Sequence, residues 1–470
     1  MNQQKDIIKD ASVLGIPKML LLGLQHMFAM FGATILVPIL VNSYFGSKGQ
    51  VLSVQVTLFC AGLGTLFFHL CSKFKVPAFL GSSFAFLGGF ASIAGLDSGV
   101  FQNMPDSEKL QYACGGIMVA GLLYLVLALI IKLVGVKRVM RFLPPVVTGP
   151  IIICIGLSLA PSAVSNASTN WLIALVALAV IVIFNIWGKG MFKIIPILLG
   201  VVISYLFALV LHLLGFTNPD GSAILNFAGI AAAAPIGLPP FQLPKFNITA
   251  ILIMAPIAIA TMMEHIGDMS AISATVGENF LEDPGLHRTL IGDGIATSLS
   301  SLIGGPANTT YGENTGVLEL SRVHDPKVVR LAAVYAVILS FFPKVSELIG
   351  SMPASIIGGV SFILYGMISA IGVRNVVENH VDFTKSRNLI IAGVILVCGL
   401  GFTNGLTFTI AGTTITLTSL AIAAIAGILL NLILPGNDYH FGDDPDADSS
   451  RGVDLRPREL EKELKEKEKK

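Results

Sequence analysis

The chain has 470 residues, of which 54% are hydrophobic and only 13% charged, with 30 Lys and Arg against 29 Asp and Glu. Soluble domains carry about a quarter charged residues, so this balance and a mean hydropathy of +0.79 exclude an ordinary soluble fold. They point to an all-α protein that crosses the membrane many times. The net charge of +1 offers no basic surface for nucleic acid, and five cysteines without Cys-x-x-Cys spacing argue against zinc, haem and disulfide frameworks.

Apolar windows of about 20 residues, the length that spans a bilayer, fall at 18–40, 51–71, 111–134, 145–161, 170–187, 194–214, 248–273, 326–349, 353–373, 387–402 and 413–433. Shorter or interrupted candidates lie at 78–96, 289–304 and 308–321, which makes fourteen predicted crossings. The first span stays in the chain, because its apolar run from Lys18 to Leu40 shows no small-residue cleavage pattern. The loops 97–110 and 215–247 read as outside covers. Residues 437–470 hold 19 of the 59 charged residues and read as a soluble tail, with a short solvated helix from Arg458 to Lys470.

An even number of crossings puts both ends on one side. Lys and Arg fall in alternate loops, and only Lys48, Lys109, Lys245 and Lys344 of the 30 are left for the other side. The positive-inside rule makes both termini cytoplasmic in a multi-pass protein of the cell membrane.

The same features occur twice in the same order. Gln25-His26 answers Glu264-His265; Pro77-Ala78 before Ser82-Ser83-Phe84 answers Pro306-Ala307 before Thr309-Thr310-Tyr311; Pro144-Pro145 answers Pro353. Two halves of seven spans follow, and because seven is odd the second half is inverted relative to the first. The stretches 77–90 and 306–321 are too rich in small, polar and helix-breaking residues to face lipid. They are predicted as two interrupted spans that approach the midplane from opposite sides, with a solute site between them.

Ionisable residues at that depth are the candidates for chemistry. Glu264 and Asp268 stand four apart on one helix face, and two acids in a poorly hydrated site do not both ionise easily, which makes a proton-binding element. Glu313 is the third embedded carboxylate. His26 is expected to orient a carboxylate, and His265 to be structural. Phe84 and Tyr311 occupy matching places after the two breaks and could flank a flat solute, with free N–H groups of the broken segments on its carbonyls.

These residues resemble the nucleobase–cation symporter-2 family, also called nucleobase–ascorbate transporters, and most closely its bacterial uracil permease branch. The likeness rests on Gln25-His26 through Pro38, Gly81-Ser82-Ser83-Phe84-Ala85-Phe86, Glu264-His265-Ile266-Gly267, Asp283-Pro284-Gly285-Leu286-His287-Arg288 and Asn308-Thr309-Thr310-Tyr311-Gly312-Glu313-Asn314. The resemblance implies a core domain from 1–140 and 248–350, a gate domain from 141–247 and 351–436, and the tail 437–470. It implies that uracil is held by Glu264, Glu313, backbone near Gly312, Phe84, Tyr311 and Ala33, that transport is proton-coupled, and that the chain can pair as a homodimer; the residues themselves make Asp268, Glu264 and His26 the expected proton-coupling groups. No cofactor or metal is implied.

Glu313 is similar to the uracil branch, whereas purine carriers of the family more often have Gln at that place. Asp268 stands where the best-known uracil branch has His and is similar to the purine branch. The expectation is a proton-coupled uracil importer working by alternating access, with a xanthine or broad-specificity nucleobase:proton symporter as the alternative. An anion channel on a similar repeat is the different class, and an intramembrane enzyme lacks any nucleophile–base or metal-ligand pattern.

Overall fold

The computed structural model describes residues 7–45, 51–97, 99–403, 405–410 and 413–436. Its first half runs α1 (Ile16–Phe45), α2 (Val54–Cys71), β1 (Leu80–Ser82), α3 (Leu87–Ala94), α4 (Asp106–Val134), α5 (Val136–Met140), α6 (Pro145–Ser158), α7 (Ala160–Ser168), α8 (Trp171–Trp187), α9 (Met191–Ile194) and α10 (Pro196–Leu213). A loop holding the short α11 (Ala228–Ala232) leads to α12 (Ile248–Met254), α13 (Ile257–Val276), α14 (Leu286–Leu302), β2 (Asn308–Thr310) and α15 (Gly312–Ser321). The chain continues through α16 (Pro326–Leu339), α17 (Pro343–Gly350), α18 (Ala354–Glu378), α19 (Ser386–Gly401), β3 (Leu406–Ile410), β4 (Thr413–Leu417) and α20 (Ser419–Ile433).

Local chemistry sets the helix ends. Ser53, Asn170, Asn247, Asp325 and Thr418 accept backbone N–H bonds at N-caps of α2, α8, α12, α16 and α20, satisfying donors that have no partner in the first turn. Proline opens α6, α10, α16 and α17, where its missing N–H costs nothing. Gly277, at φ +80°, ends α13.

Among the described residues, seven helical stretches are long and apolar enough to cross a membrane, or eight if a bent pair counts as one span. They include the pairs α6–α7 and α12–α13 taken as single spans. The fold is that of a polytopic membrane protein. Helix α14 packs on α4 and α2, and α16 on α2 and α1, whereas α18 packs on α6, α7 and α8, and α19 on α20 and α6.

Glycine makes these approaches close. A Cβ on Gly121 would lie 2.6 Å from the Gly294 carbonyl oxygen, and one on Gly372 2.7 Å from that of Gly149. Small residues let membrane helices touch backbone to backbone, where dispersion replaces the missing hydrophobic drive between helices.

The two stretches predicted as interrupted spans each hold a short extended segment. β1 and β2 pair antiparallel, with Leu80 opposite Thr310, Gly81 opposite Thr309 and Ser82 opposite Asn308, all buried. The ladder is extended by Tyr311 N–H on Phe79 O (2.9 Å) and Ser83 N–H on Ala307 O (2.8 Å). Each strand then opens a short helix, α3 or α15.

Four predicted spans differ, the first being 145–161, which runs on through α7 to Ser168. The window 413–433 begins as a strand, and its helix starts only at Ser419, because the alternating Thr-Ile-Thr-Leu run pairs as a β3–β4 hairpin with Leu406 opposite Leu417. With the β1–β2 pair, this makes the fold mostly helical rather than purely so. The window 326–349 bends by 88° between α16 and α17, at Pro343, which cannot extend the preceding helix. The window 353–373 runs on to Glu378. The predicted tail helix lies outside the described residues.

Gly121→Val should cost about 1–3 kcal/mol through overpacking of the α4–α14 seam, read as a lower melting temperature of purified protein. Valine at Gly366, where a Cβ would meet nothing within 4 Å, is the neutral comparison.

Candidate functional site

The site grows from the β1–β2 crossing outward. Tyr311 donates its hydroxyl to Ser82 O at 2.9 Å, and its ring lies over Gly81, where a Cβ would come within 2.3 Å of it. Ser82 in turn donates to Thr34 O on α1 (2.8 Å). Asn308 reaches from β2 to the carbonyls of Cys60 on α2 (3.2 Å) and Ala296 on α14 (3.4 Å). These bonds fix the start of α15 against three neighbouring helices.

Beside the crossing runs α13. His265 is fully buried, with Nδ1 3.0 Å from Thr310 Oγ1 and 3.0 Å from Oδ2 of the fully buried Asp293 on α14. His265 therefore has the structural place expected of it, joining α13, α14 and β2. Asp293 was not singled out in the sequence, and it is a fourth acid inside the helical body. Its signal was a lone Asp between Gly292 and Gly294 in an otherwise uncharged segment.

On the opposite side His26 is buried on α1. Asn314 Nδ2 donates to His26 O (3.2 Å) and lies 3.3 Å from His26 Nδ1. His26 thus meets the Asn314 amide, where a carboxylate was expected from sequence.

A cavity of about 700 Å³ opens between α13 and α15 on one wall and α6, α10 and α18 on the other. Asp268 and Gly312 both line it, and a Cβ on Gly312 would lie 3.9 Å from Asp268 Oδ1. The carboxylate thus stands close to the N-terminal end of α15, where the helix dipole favours negative charge and exposed N–H groups can receive a polar solute. Lys193 and Arg374 also line this cavity.

Glu264 is half-buried one helical turn before Asp268 on α13. Ala33, Phe84 and Tyr311 are buried and, with Glu264 and His26, are not among the residues lining the cavity. Phe84 meets Tyr365 of α18 edge to face, with ring centroids 6.0 Å apart. Glu313 is the second residue of α15, and its side chain lies outside what the structure describes. Asp268 and Gly312 are thus brought together at the cavity, while the aromatic and histidine candidates form the packed layer behind it. No cluster of metal ligands occurs among the described residues.

The sequence profile of the Permease family matches residues 17–408, most of the chain and all of the geometry just described. The chain belongs to the Permease family. The resemblance to nucleobase–cation symporters thereby stands, and the molecule is a transporter rather than an enzyme. This permease is 41% identical over 451 residues to the uracil permease of Bacillus caldolyticus, covering 93% of this chain and 96% of that one. It is 40% identical over 432 residues to the uracil permease of Bacillus subtilis (88% and 92% covered), and 36% identical over 418 residues to the putative pyrimidine permease RutG of Escherichia coli (88% of each).

Among solved structures the permease shares its fold with the transmembrane domain of the cyanobacterial bicarbonate transporter BicA, at a TM-score of 0.59 and 17% identity, covering 85% of this chain and 99% of that one. It also shares it with the murine anion transporter Slc26a9 in its inward-facing state, at 0.61 and 10%, covering 92% and 73%.

Gly312→Ala should fold normally, since its methyl would meet Ile371 at 3.5 Å, an ordinary contact. Gly312→Leu should fill the space before Asp268 and cut solute uptake by about tenfold or more, equivalent to about 1.4 kcal/mol of binding. Asp293→Leu should destabilise by about 3–5 kcal/mol, the cost of stripping one partner from a buried pair, whereas Asp293→Asn keeps an acceptor for His265 and should lose less. Thermal unfolding of the two variants checks this.

Proposed function

We propose that this permease imports uracil together with protons across the cell membrane. The observation that carries the reading is the 41% and 40% identity, over most of the chain, to two proteins named uracil permease. The cavity at Asp268 and Gly312 supports it, because a flat solute with N–H and C=O groups needs both carboxylate acceptors and free backbone donors.

In this reading, which for these residues rests on the family resemblance, Glu264 and Glu313 accept ring N–H groups and backbone near Gly312 donates to a carbonyl. Glu264, Phe84, Tyr311 and Ala33 do not line this cavity, so they hold and flank the solute only where it passes Asp268 towards the β1–β2 crossing. A neutral pyrimidine gains nothing from membrane voltage, so accumulation needs a coupled ion. Asp268 with Glu264 takes the proton, and His26 acts through its contact with Asn314. Protonation of the pair favours loading, and the core then shifts against the gate.

The fourteen-crossing inverted repeat belongs to this proposal, as do the core (1–140 and 248–350), the gate (141–247 and 351–436), cytoplasmic termini and a homodimer. The separate packing groups around α14 with α16 and around α18 support the core–gate division, and the antiparallel β1–β2 pair, one strand from each half, supports the inverted repeat.

A xanthine or broader nucleobase symporter is the second reading, favoured by Asp268 in place of His. Reconstituted protein should accumulate labelled uracil when the outside is acidic. A tenfold excess of unlabelled uracil should abolish the signal while xanthine leaves it, and the reverse would favour the second reading. Asp268→Asn should retain uracil binding but lose the dependence of uptake on the pH gradient, the behaviour of a removed proton site. Gradient-driven uptake by that variant at the wild-type rate would take Asp268 out of the coupling.

A further inference from the structure

Helix α15 has only ten residues, a rod of about 15 Å, so its direction depends on how both ends are held. The cavity end is held by the β1–β2 ladder. At the far end the helix stops at Arg322, in left-handed conformation at φ +55°, and the chain crosses to α16 without regular structure of its own.

A segment from the other end of the chain grips that crossing. Ile8 N–H donates to Arg322 O, and His324 N–H donates back to Ile8 O, both at 2.9 Å, a parallel bridge between Ile8 and Val323. Ala11 is fully buried and donates its N–H to Asp325 Oδ2 at 2.7 Å, while Asp325 Oδ1 caps α16 through Lys327 N–H at 2.9 Å. Lys327 Nζ reaches Asp10 Oδ1 at 2.9 Å and Ser12 Oγ at 3.0 Å. Lys9 Nζ pairs with Glu278 Oε1 at 2.7 Å, directly after the end of α13.

One short segment therefore joins the ends of α13 and α15 to the start of α16, and then runs into α1 at Ile16. The first two carry Asp268 and Gly312. We propose that residues Ile8–Leu14 are a clamp on the binding unit, with Asp10 and Lys327 as positioning residues that set α15, and so Gly312, against Asp268. The functional side of this inference rests on the uracil reading above.

The Asp10–Lys327 pair stays charged near neutrality. The Lys327 ammonium and the Ser12 donors hold the Asp10 carboxyl down to about 2. A depressed acid contributes in full above its unfolded value and is lost only as pH falls through the folded one. The hydrogen bond to Asp10 raises Lys327, whose share is present below its unfolded value and lost only as pH rises through the folded one. Neither limit lies near neutrality, so the Asp10–Lys327 contact keeps its charges there, while burial lowers His324, the other titratable group of the bridge.

The test uses the full chain in proteoliposomes with labelled uracil. Asp10→Asn and Lys327→Met should each raise KM by about threefold to tenfold with the maximal rate within about twofold, a loss of binding geometry and not of turnover. The charge swap Asp10→Lys with Lys327→Asp should restore KM. Lys245→Met, which breaks the comparably exposed Lys245–Glu108 pair (2.6 Å) on the loop before α12, should leave KM unchanged.

Hydrogen exchange without solute supplies a second readout. Amides of 316–321 should exchange about tenfold faster in Asp10→Asn than in wild type, as local opening becomes easier. Wild-type KM together with wild-type exchange in Asp10→Asn would overturn the clamp. Failure of the wild-type protein to take up uracil would instead overturn the uracil reading, and the exchange measurement would still judge the clamp.

Discussion

Everything in this molecule is arranged around one requirement: extended backbone inside a membrane protein must find partners within the protein. An unpaired N–H or C=O in hydrocarbon costs several kcal/mol, and both interrupted spans carry such groups. The solution is the antiparallel pairing of Leu80–Ser82 with Asn308–Thr310. Once it is made, the α3 and α15 segments begin at the crossing, and the free N–H groups of a helix start become available to a solute. The polar groups around it follow: Tyr311 on Ser82, Ser82 on Thr34, and Asn308 on Cys60 and Ala296.

The same economy explains the buried polar clusters. His265 Nδ1 approaches both Thr310 and Asp293 and so links three elements, and Asn314 ties α15 to α1 at His26. A polar group buried without a partner would destabilise the body more than an apolar one of similar size, whereas a matched set fixes which helix faces which. Close glycine contacts such as Gly121 with Gly294 then bring the helices near enough for those short bonds to form. Precision at the cavity comes from bonds made behind it.

The interrupted spans were readable because Pro77 and Pro306 stand before runs of small and polar residues, and only a backbone wrapped in protein tolerates such a run at that depth. The spacing of Glu264 and Asp268 placed them one turn apart on α13, but of the two only Asp268 lines the cavity. Asp293 was missed because the residue it meets, His265, is 28 positions away and no local pattern announces a tertiary pair. The β3–β4 hairpin was missed because Thr-Thr-Ile-Thr-Leu is apolar enough to resemble a span; its strand periodicity was outweighed by its position before α20. The bend at Pro343 was overlooked for a related reason: hydropathy averages over a window and does not register direction. The segment before α1 was read only as a carrier of basic residues, because its bonds to 322–327 join places over 300 residues apart.

The pairing of β1 with β2 also has a meaning for how the molecule is made. Leu80 and Thr310 are 230 positions apart, and ribosomes add about 5–20 residues per second. The first strand therefore waits on the order of 10–50 s for its mate to be synthesised. During that interval its amides are already embedded and have nothing of this chain to bond. The growing protein must keep that edge beside water, or against the insertion machinery, until its second half arrives.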